Sequence, residues 1–270
     1  MDAYRGTEGT RPYAGAGWYY TEYRQRVSTE FITLLAARLG WTRAERVLDL
    51  GAGPGELALL VAPLVAEVVA IEPEPDMLVE GQRRALGAGN VTFMAASSDD
   101  LATQRESLGR FRTAMMGQSF HWMLEKDRVL RDLSTMIDEI GGSVAFVSPR
   151  RVSAPAALES AEKTVHEILE RYLADVPPGP HPHGRHDPFE EILERSAFPR
   201  VETIERVYKA RLRPTVESLV GAEYTISHVL TRLNSRREAF EREVRAALGG
   251  LEALSEIWVT LRDVALIGLR

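Results

Sequence analysis

Two acids and three alternating glycines carry the first chemistry in this sequence. An apolar run over 47–50 holds Asp49 and enters Gly51-Ala52-Gly53-Pro54-Gly55, after which residues 56–60 read as the start of a helix. Glycine has no Cβ, so it allows positive φ and a close approach of backbone to a ligand, and the helix behind it presents unpaired N–H groups. The next apolar run, 68–71, ends at Glu72, where the hydroxyl pair of a ribose lies in a doubly wound sheet. Together these features favour a nucleoside site over a structural turn with a surface acid. The G-x-G-x-G spacing, with Pro54 inside it, departs from the G-x-G-x-x-G of dinucleotide sites and counts against a nicotinamide cofactor.

Two groups of histidines come next. His121 follows an apolar run over 113–117 within Gln118-Ser119-Phe120-His121-Trp122. An imidazole with an ordinary pKa near 6.5 takes a proton from a hydroxyl or amine at neutral pH; the plainer alternative is a histidine that bonds backbone and shapes a pocket. His181, His183 and His186 with Asp187 have the donor types for zinc or iron, but the prolines around them favour an irregular surface loop without helical register. No metal is expected there, and His186 is expected to line a substrate pocket instead.

These residues need elements to hold them. Ser28 or Thr29 caps a helix with Phe31, Leu34, Leu35 and Leu39 at helical spacing, closed by Gly40. Strands at 47–50, 68–72, 91–95, 113–117 and 143–147 alternate with helices at 56–60, 75–86 and 126–140, which predicts an α/β fold with a parallel sheet covered on both faces. After Pro149 the pattern changes. A helix over 155–174, the proline and histidine loop, a short helix at 189–195 and a strand at 201–210 follow. A helix from 214 through 228 then places Tyr224 and His228 on one face, a capped helix begins at Ser235, and a strand at 259–269 ends the chain. The expected division is an N-terminal arm over 1–27, a core over 28–150, a helical insertion over 151–200 and a C-terminal part over 201–270 that completes sheet and pocket.

With 270 residues, 44% of them hydrophobic and 27% charged, the sequence suits a globular chain with one sizeable core. The net charge of −6 and the lack of a basic run argue against nucleic acid. Zero cysteines exclude disulfides, thiolate nucleophiles and Cys-ligated zinc. No basic-then-apolar leader and no run near ~20 apolar residues is present, so a cytoplasmic chain without a membrane partner, monomeric or homodimeric, is expected.

Val47 to Gly55, Val69-Ala70-Ile71-Glu72-Pro73 with Asp76-Met77, Asn90-Val91-Thr92-Phe93, Ser119-Phe120-His121-Trp122, and Arg131-Asp132-Leu133 leading to Gly141-Gly142 occur in an order and spacing that resembles the class I S-adenosylmethionine-dependent methyltransferases. The likeness is to the small-molecule branch with a Phe-His-Trp motif, of the type 11 and trans-aconitate methyltransferase kind, and covers about residues 15–150. It implies a Rossmann-like methyltransferase fold: a doubly wound, mostly parallel seven-stranded sheet, with a returning antiparallel strand and helices inserted over the substrate. It also implies S-adenosylmethionine as cofactor, with Asp49, Gly51, Ala52 and Gly53 at its methionine and ribose end and Glu72 with Pro73 at the ribose. Met77 would face the adenine, Ser97 and Ser98 its edge, with Ser97 standing where the family usually has an acid, and Gln118 the sulfur side. Tyr20 and Arg24 would fold over the cofactor. Tyr20, Phe120, His121, Trp122, His186, Tyr224 and His228 would meet the acceptor, a small molecule of natural-product type methylated on oxygen or nitrogen with His121 as base. The alternatives are a protein that binds the cofactor without transfer, a macromolecule methyltransferase and a nicotinamide-dependent oxidoreductase.

Overall fold

The computed structural model describes residues 11–178, 187–249 and 256–270. Short β-branched and apolar runs form the strands, and polar helices with one apolar face separate them. In chain order the elements are α1 (Gly17–Tyr23), α2 (Thr29–Leu39), β1 (Arg46–Leu50), α3 (Glu56–Val61), β2 (Glu67–Ile71), α4 (Pro75–Arg84), β3 (Val91–Met94), α5 (Leu101–Leu108) and β4 (Thr113–Gly117). They continue with α6 (Lys126–Ser134), β5 (Ser143–Ser153), α7 (Ala156–Leu173), α8 (Phe189–Glu194), β6 (Arg200–Leu212), α9 (Val216–Glu223), α10 (Val229–Leu233), α11 (Arg237–Ala247) and β7 (Ile257–Leu269).

The seven strands form one sheet in the order β3-β2-β1-β4-β5-β7-β6, as the doubly wound expectation required. β1 to β5 run parallel, and β7 returns antiparallel between β5 and β6. The strand order reverses between β1 and β4, so a crevice opens beyond their carboxyl ends. One apolar cluster lies on each face of this sheet; Val47, Ala70 and Ala145 point to one, Leu48, Ile71 and Phe146 to the other. Among the described residues no helix is long and apolar enough to cross a membrane.

Three details differ from the sequence reading. The helix expected to reach residue 140 stops at Ser134, because the chain leaves it to pair beside β4: Phe111 N–H donates to Met136 O at 2.8 Å and Asp138 N–H to Phe111 O at 3.0 Å. The helix expected through residue 228 stops at Glu223. His228 has a left-handed φ of 65° and its N–H donates to Pro12 O at 2.6 Å, so Tyr224 and His228 do not share a helical face. Third, β5 runs past residue 150 to Ser153 along β7, and the helical cover is drawn from both sides of β6. The apolar faces of α7, α9, α10 and α11 pack together around Leu169, Val220, Leu233 and Phe240, whereas α8 puts Ile192 and Leu193 into the sheet core.

Two glycines seat α1 at the mouth of the crevice. A Cβ on Gly17 would stand 2.5 Å from the carbonyl oxygen of Asp76 in α4, and one on Gly221 would stand 2.1 Å from the Tyr23 ring. α1 is thus wedged between the core and the helical cover.

Candidate functional site

β1 ends at Leu50 and the chain turns through three left-handed glycines, Gly51 at φ 71°, Gly53 at 56° and Gly55 at 79°. The Gly51 and Ala52 N–H groups both donate to Ile71 O, at 2.9 and 3.0 Å, which ties the turn to the end of β2. A Cβ on Gly51 would lie 2.6 Å from Ser119 Cβ, and one on Gly55 would lie 2.5 Å from the Phe93 ring; Gly53 alone of the three faces open space.

Both acids of the motif sit beside this turn and both are buried. Glu72, 6% exposed, accepts from Gly53 N–H at 2.7 Å and from Glu74 N–H at 2.8 Å, one bond to each carboxylate oxygen. Asp49, 1% exposed, accepts from Ala58 N–H at 3.0 Å through Oδ2, while Oδ1 is buried and has no partner among the described residues. Burial pushes both carboxyls up to about 7, against the backbone bonds that pull the other way.

Two adjoining clefts open on this framework. The first is lined by Tyr13, Tyr20, Gly51, Gly53, Glu72, Pro73, Met77, Ser97, Ser98, Gln118 and Trp122, the second by Tyr20, Arg24, Asp49, Gly51, Ala52, Gly53 and Gln118. All twelve residues expected on the cofactor side therefore line one or both. Gln118 stands at their junction with a left-handed φ of 52°. Its Oε1 accepts from Arg24 Nη2 at 2.6 Å, Arg24 Nη1 donates to Thr225 Oγ1 at 3.3 Å, and the guanidinium lies 5.3 Å from the centre of the Tyr20 ring.

The Phe-His-Trp segment is a single 3-10 turn, so its successive side chains point about 120° apart. Phe120 goes into the core, stacked on Phe146 at 4.3 Å. Trp122 turns into the first cleft, edge-on to Tyr13 at 5.6 Å, among the residues expected at the cofactor and apart from His121. His121 lines a third, larger cleft of about 610 Å³ with Ser119, Phe120, Phe146, Phe189, Arg150 and Arg262. Gln118 and Ser119 line both this cleft and the first, which makes them the wall between.

Several expected residues lie elsewhere. Tyr224 is buried in the helical cover, where its hydroxyl donates to Glu241 Oε1 at 2.9 Å and its ring meets Tyr19 at 5.0 Å. His228 is buried at the start of α10 and lines none of the three clefts. His186, with His181 and His183, falls outside the described residues. Asp187 pairs with Arg195 at 2.6 Å, and among the described residues no cluster of three or more histidines and acids is placed to hold a metal.

Ser97 lines the first cleft, but its hydroxyl is committed. It donates to Asp100 Oδ2 at 2.9 Å and accepts from Asp99 N–H at 3.2 Å, while the Ser97 N–H also donates to Asp100 at 2.8 Å. The serine caps the turn over Ser98–Asp100, and its oxygen keeps one lone pair. Asp99 pairs with Arg128. Sequence reasoning missed Tyr13, Arg150 and Arg262; the alternation Phe146-x-Ser148-x-Arg150 against Arg262-x-Val264-x-Leu266 was the available signal for the two arginines.

The buried acid at Asp49 has a consequence for stability. Its carboxyl is raised from an ordinary 3.8 to about 7, so its stabilising contribution is full below about pH 4 and is lost as the pH rises through 7. Asp49→Asn keeps an oxygen for Ala58 N–H and carries no charge to bury. Denaturant unfolding of the ligand-free variant is expected to show a gain of about 2 kcal/mol at pH 8 and almost none at pH 4. An unchanged or lowered stability at pH 8 would contradict the burial argument.

Comparison with known proteins gives a consistent likeness. A family profile described as "Methyltransferase domain" matches residues 47–141. A curated relative, the malonyl-[acyl-carrier protein] O-methyltransferase of Pseudescherichia vulneris, is 28% identical over 145 residues. That match spans 53% of this chain and 54% of the relative, about half of each. Among solved structures, a protein described as a type II methyltransferase from Anaeromyxobacter dehalogenans superposes with a TM-score of 0.60 at 20% identity, over 92% of this chain and 98% of that one. The YcgJ protein of Bacillus subtilis superposes at 0.50 and 15% identity, over 90% and 99%. At these identities the superpositions establish the Rossmann-like sheet and no more.

Proposed function

We propose that this chain, whose residues 47–141 match the methyltransferase domain family, is an S-adenosylmethionine-dependent methyltransferase acting on an oxygen or nitrogen of a small molecule. The observation that carries the reading is Glu72 beside Gly53. Each carboxylate oxygen spends one lone pair on a backbone N–H and keeps another, the pattern two ribose hydroxyls need, and the glycine leaves open space next to it.

The rest of the donor set fits the same group. Asp49 lines the second cleft and its buried Oδ1 is unpartnered, so a methionine ammonium or the water on it would satisfy that atom. Met77, 2% exposed, offers an apolar face to a purine, and the backbone around Ser97 and Ser98 offers its edge polar groups. Tyr20 of α1 lines both clefts, and Arg24, the residue that caps α1, lines the second. When bound, the cofactor supplies a methyl on a positively charged sulfur, which is already electrophilic. The protein's work is then to orient the acceptor and keep water out.

His121 stands across the Gln118-Ser119 wall from the cofactor clefts, on the acceptor side. On this reading its imidazole receives the proton that a hydroxyl or amine gives up. With an accepted substrate, His121→Ala is expected to lower kcat by about 100-fold and leave the affinity for S-adenosylhomocysteine unchanged. An unaltered kcat would assign His121 to shaping the cleft. The reading as a whole is tested by calorimetry with S-adenosylhomocysteine and NADH: binding of the first alone supports it, and binding of NADH alone overturns it.

A further inference from the structure

Resting on the methyltransferase reading, we propose that the third cleft takes an acceptor with an apolar body and an anionic group, a carboxylate or a phosphate, and that Arg150 and Arg262 grip the anion.

The argument starts from register. β5 and β7 pair antiparallel with Phe146 opposite Leu266, Ser148 opposite Val264 and Arg150 opposite Arg262. Alternate residues of a strand share a face, so these three pairs form one wall of the cleft, and all six line it. At the Phe146 end the wall is apolar and meets Phe120 and Phe189, at 4.3 and 5.4 Å between ring centres. Two residues past Ser148, about 7 Å along the strand, it ends in two arginines directly opposite each other, both lining the cleft.

Like charges directly opposite on a sheet repel. Among the described residues the pair meets one acid, and only on the side of Arg262. Arg150 has no hydrogen bond or ion pair there, and Arg262 reaches only the half-exposed Glu205, at 3.7 Å. The buried Nε of Arg262 has no partner among the described residues. Arg24 adds a third cation to the lining, against one acid, Glu190. Two neighbouring guanidiniums, each a planar fork of donors, are the arrangement that binds a carboxylate or phosphate bidentately. The rings and Leu266 then hold the body of the molecule, with His121 and Gln118 lining the same cleft.

The test is calorimetric titration of protein saturated with S-adenosylhomocysteine, using four probes that share a phenyl body. These are 3-phenylpropanoate, phenethyl phosphate, neutral 3-phenylpropanamide and cationic 3-phenylpropylamine. At least one anion is expected to bind about tenfold tighter than the amide and the amine, and to weaken as sodium chloride is raised. The tighter of the two anions identifies the head group. The double substitution Arg150→Gln with Arg262→Gln is expected to remove that preference, to leave S-adenosylhomocysteine binding unchanged, and to raise the ligand-free melting temperature by relieving the repulsion. Equal binding of the amide or amine, no binding by either anion, or full anion affinity in the double variant would overturn the proposal. The same titrations without S-adenosylhomocysteine separate the two readings: a protein that fails to bind S-adenosylhomocysteine refutes the methyltransferase reading, while the anion preference still reports on the arginine pair.

Discussion

Glu72→Ala is expected to weaken S-adenosylhomocysteine binding by about 100-fold or more, because two charge-assisted hydrogen bonds to ribose hydroxyls, each contributing roughly 1.5–3 kcal/mol, disappear together. Loss of Glu72 also frees the Gly53 N–H that it holds at 2.7 Å, so the turn loses part of its preorganisation. Glu72→Gln separates the two effects. The amide keeps the volume but can accept through one oxygen only, so it is expected to hold the turn partly and still bind poorly.

The same residue sets a pH dependence whose direction follows from burial. The Glu72 carboxyl is pushed up to about 7, and only its ionised form accepts from both ribose hydroxyls with charge assistance, since the proton of the neutral acid occupies one oxygen. Affinity is therefore expected to be full above about pH 8 and to fall as the pH drops through 7, approaching tenfold per unit for one proton. Calorimetry near pH 6 in two buffers of different ionisation enthalpy should show a proton released on binding. Uptake of a proton, or an affinity flat from pH 5.5 to 8 in the unsubstituted protein, would remove Glu72 from the ribose.

What the sequence disclosed and what it hid divide along a physical line. Asp49, the glycines and Glu72 were legible because a strand, its turn and the end of the next strand lie within a short segment whose local chemistry determines its shape. The sheet was legible for the same reason, since apolar runs at βαβ spacing leave few topologies. The arginine pair was not. Arg150 and Arg262 become neighbours only through the register of two strands far apart in sequence, and a slip by one residue would send both to the other face. Trp122 was grouped with Phe120 and His121 on the resemblance, whereas the 3-10 turn fans the three into different environments. Tyr224 and His228 were lost to an event no local pattern signals, the capture of the His228 N–H by Pro12 from the N-terminal arm.

Gly51→Ala and Gly53→Ala, one turn residue apart, are expected to fail in different ways. At Gly51 the added methyl meets Ser119 Cβ at 2.6 Å and Oγ at 2.9 Å, and Ser119 cannot retreat freely because its hydroxyl donates to Leu50 O at 2.6 Å. Overpacking and the left-handed φ of 71° together are expected to cost about 3 kcal/mol or more and to abolish binding by displacing the turn. At Gly53 the methyl meets nothing within 4 Å, so only the φ of 56° is penalised, by about 1 kcal/mol, and the melting temperature should fall little. Yet Gly53 lines both clefts, so that methyl enters space that the cofactor reading assigns to ligand. S-adenosylhomocysteine affinity is therefore expected to drop about tenfold or more in a protein that remains folded. If the turn is purely structural, binding should track stability in both variants and Gly53→Ala should bind almost as well as the unsubstituted chain. If the turn is a cradle, Gly53→Ala will be the variant in which stability and binding part company.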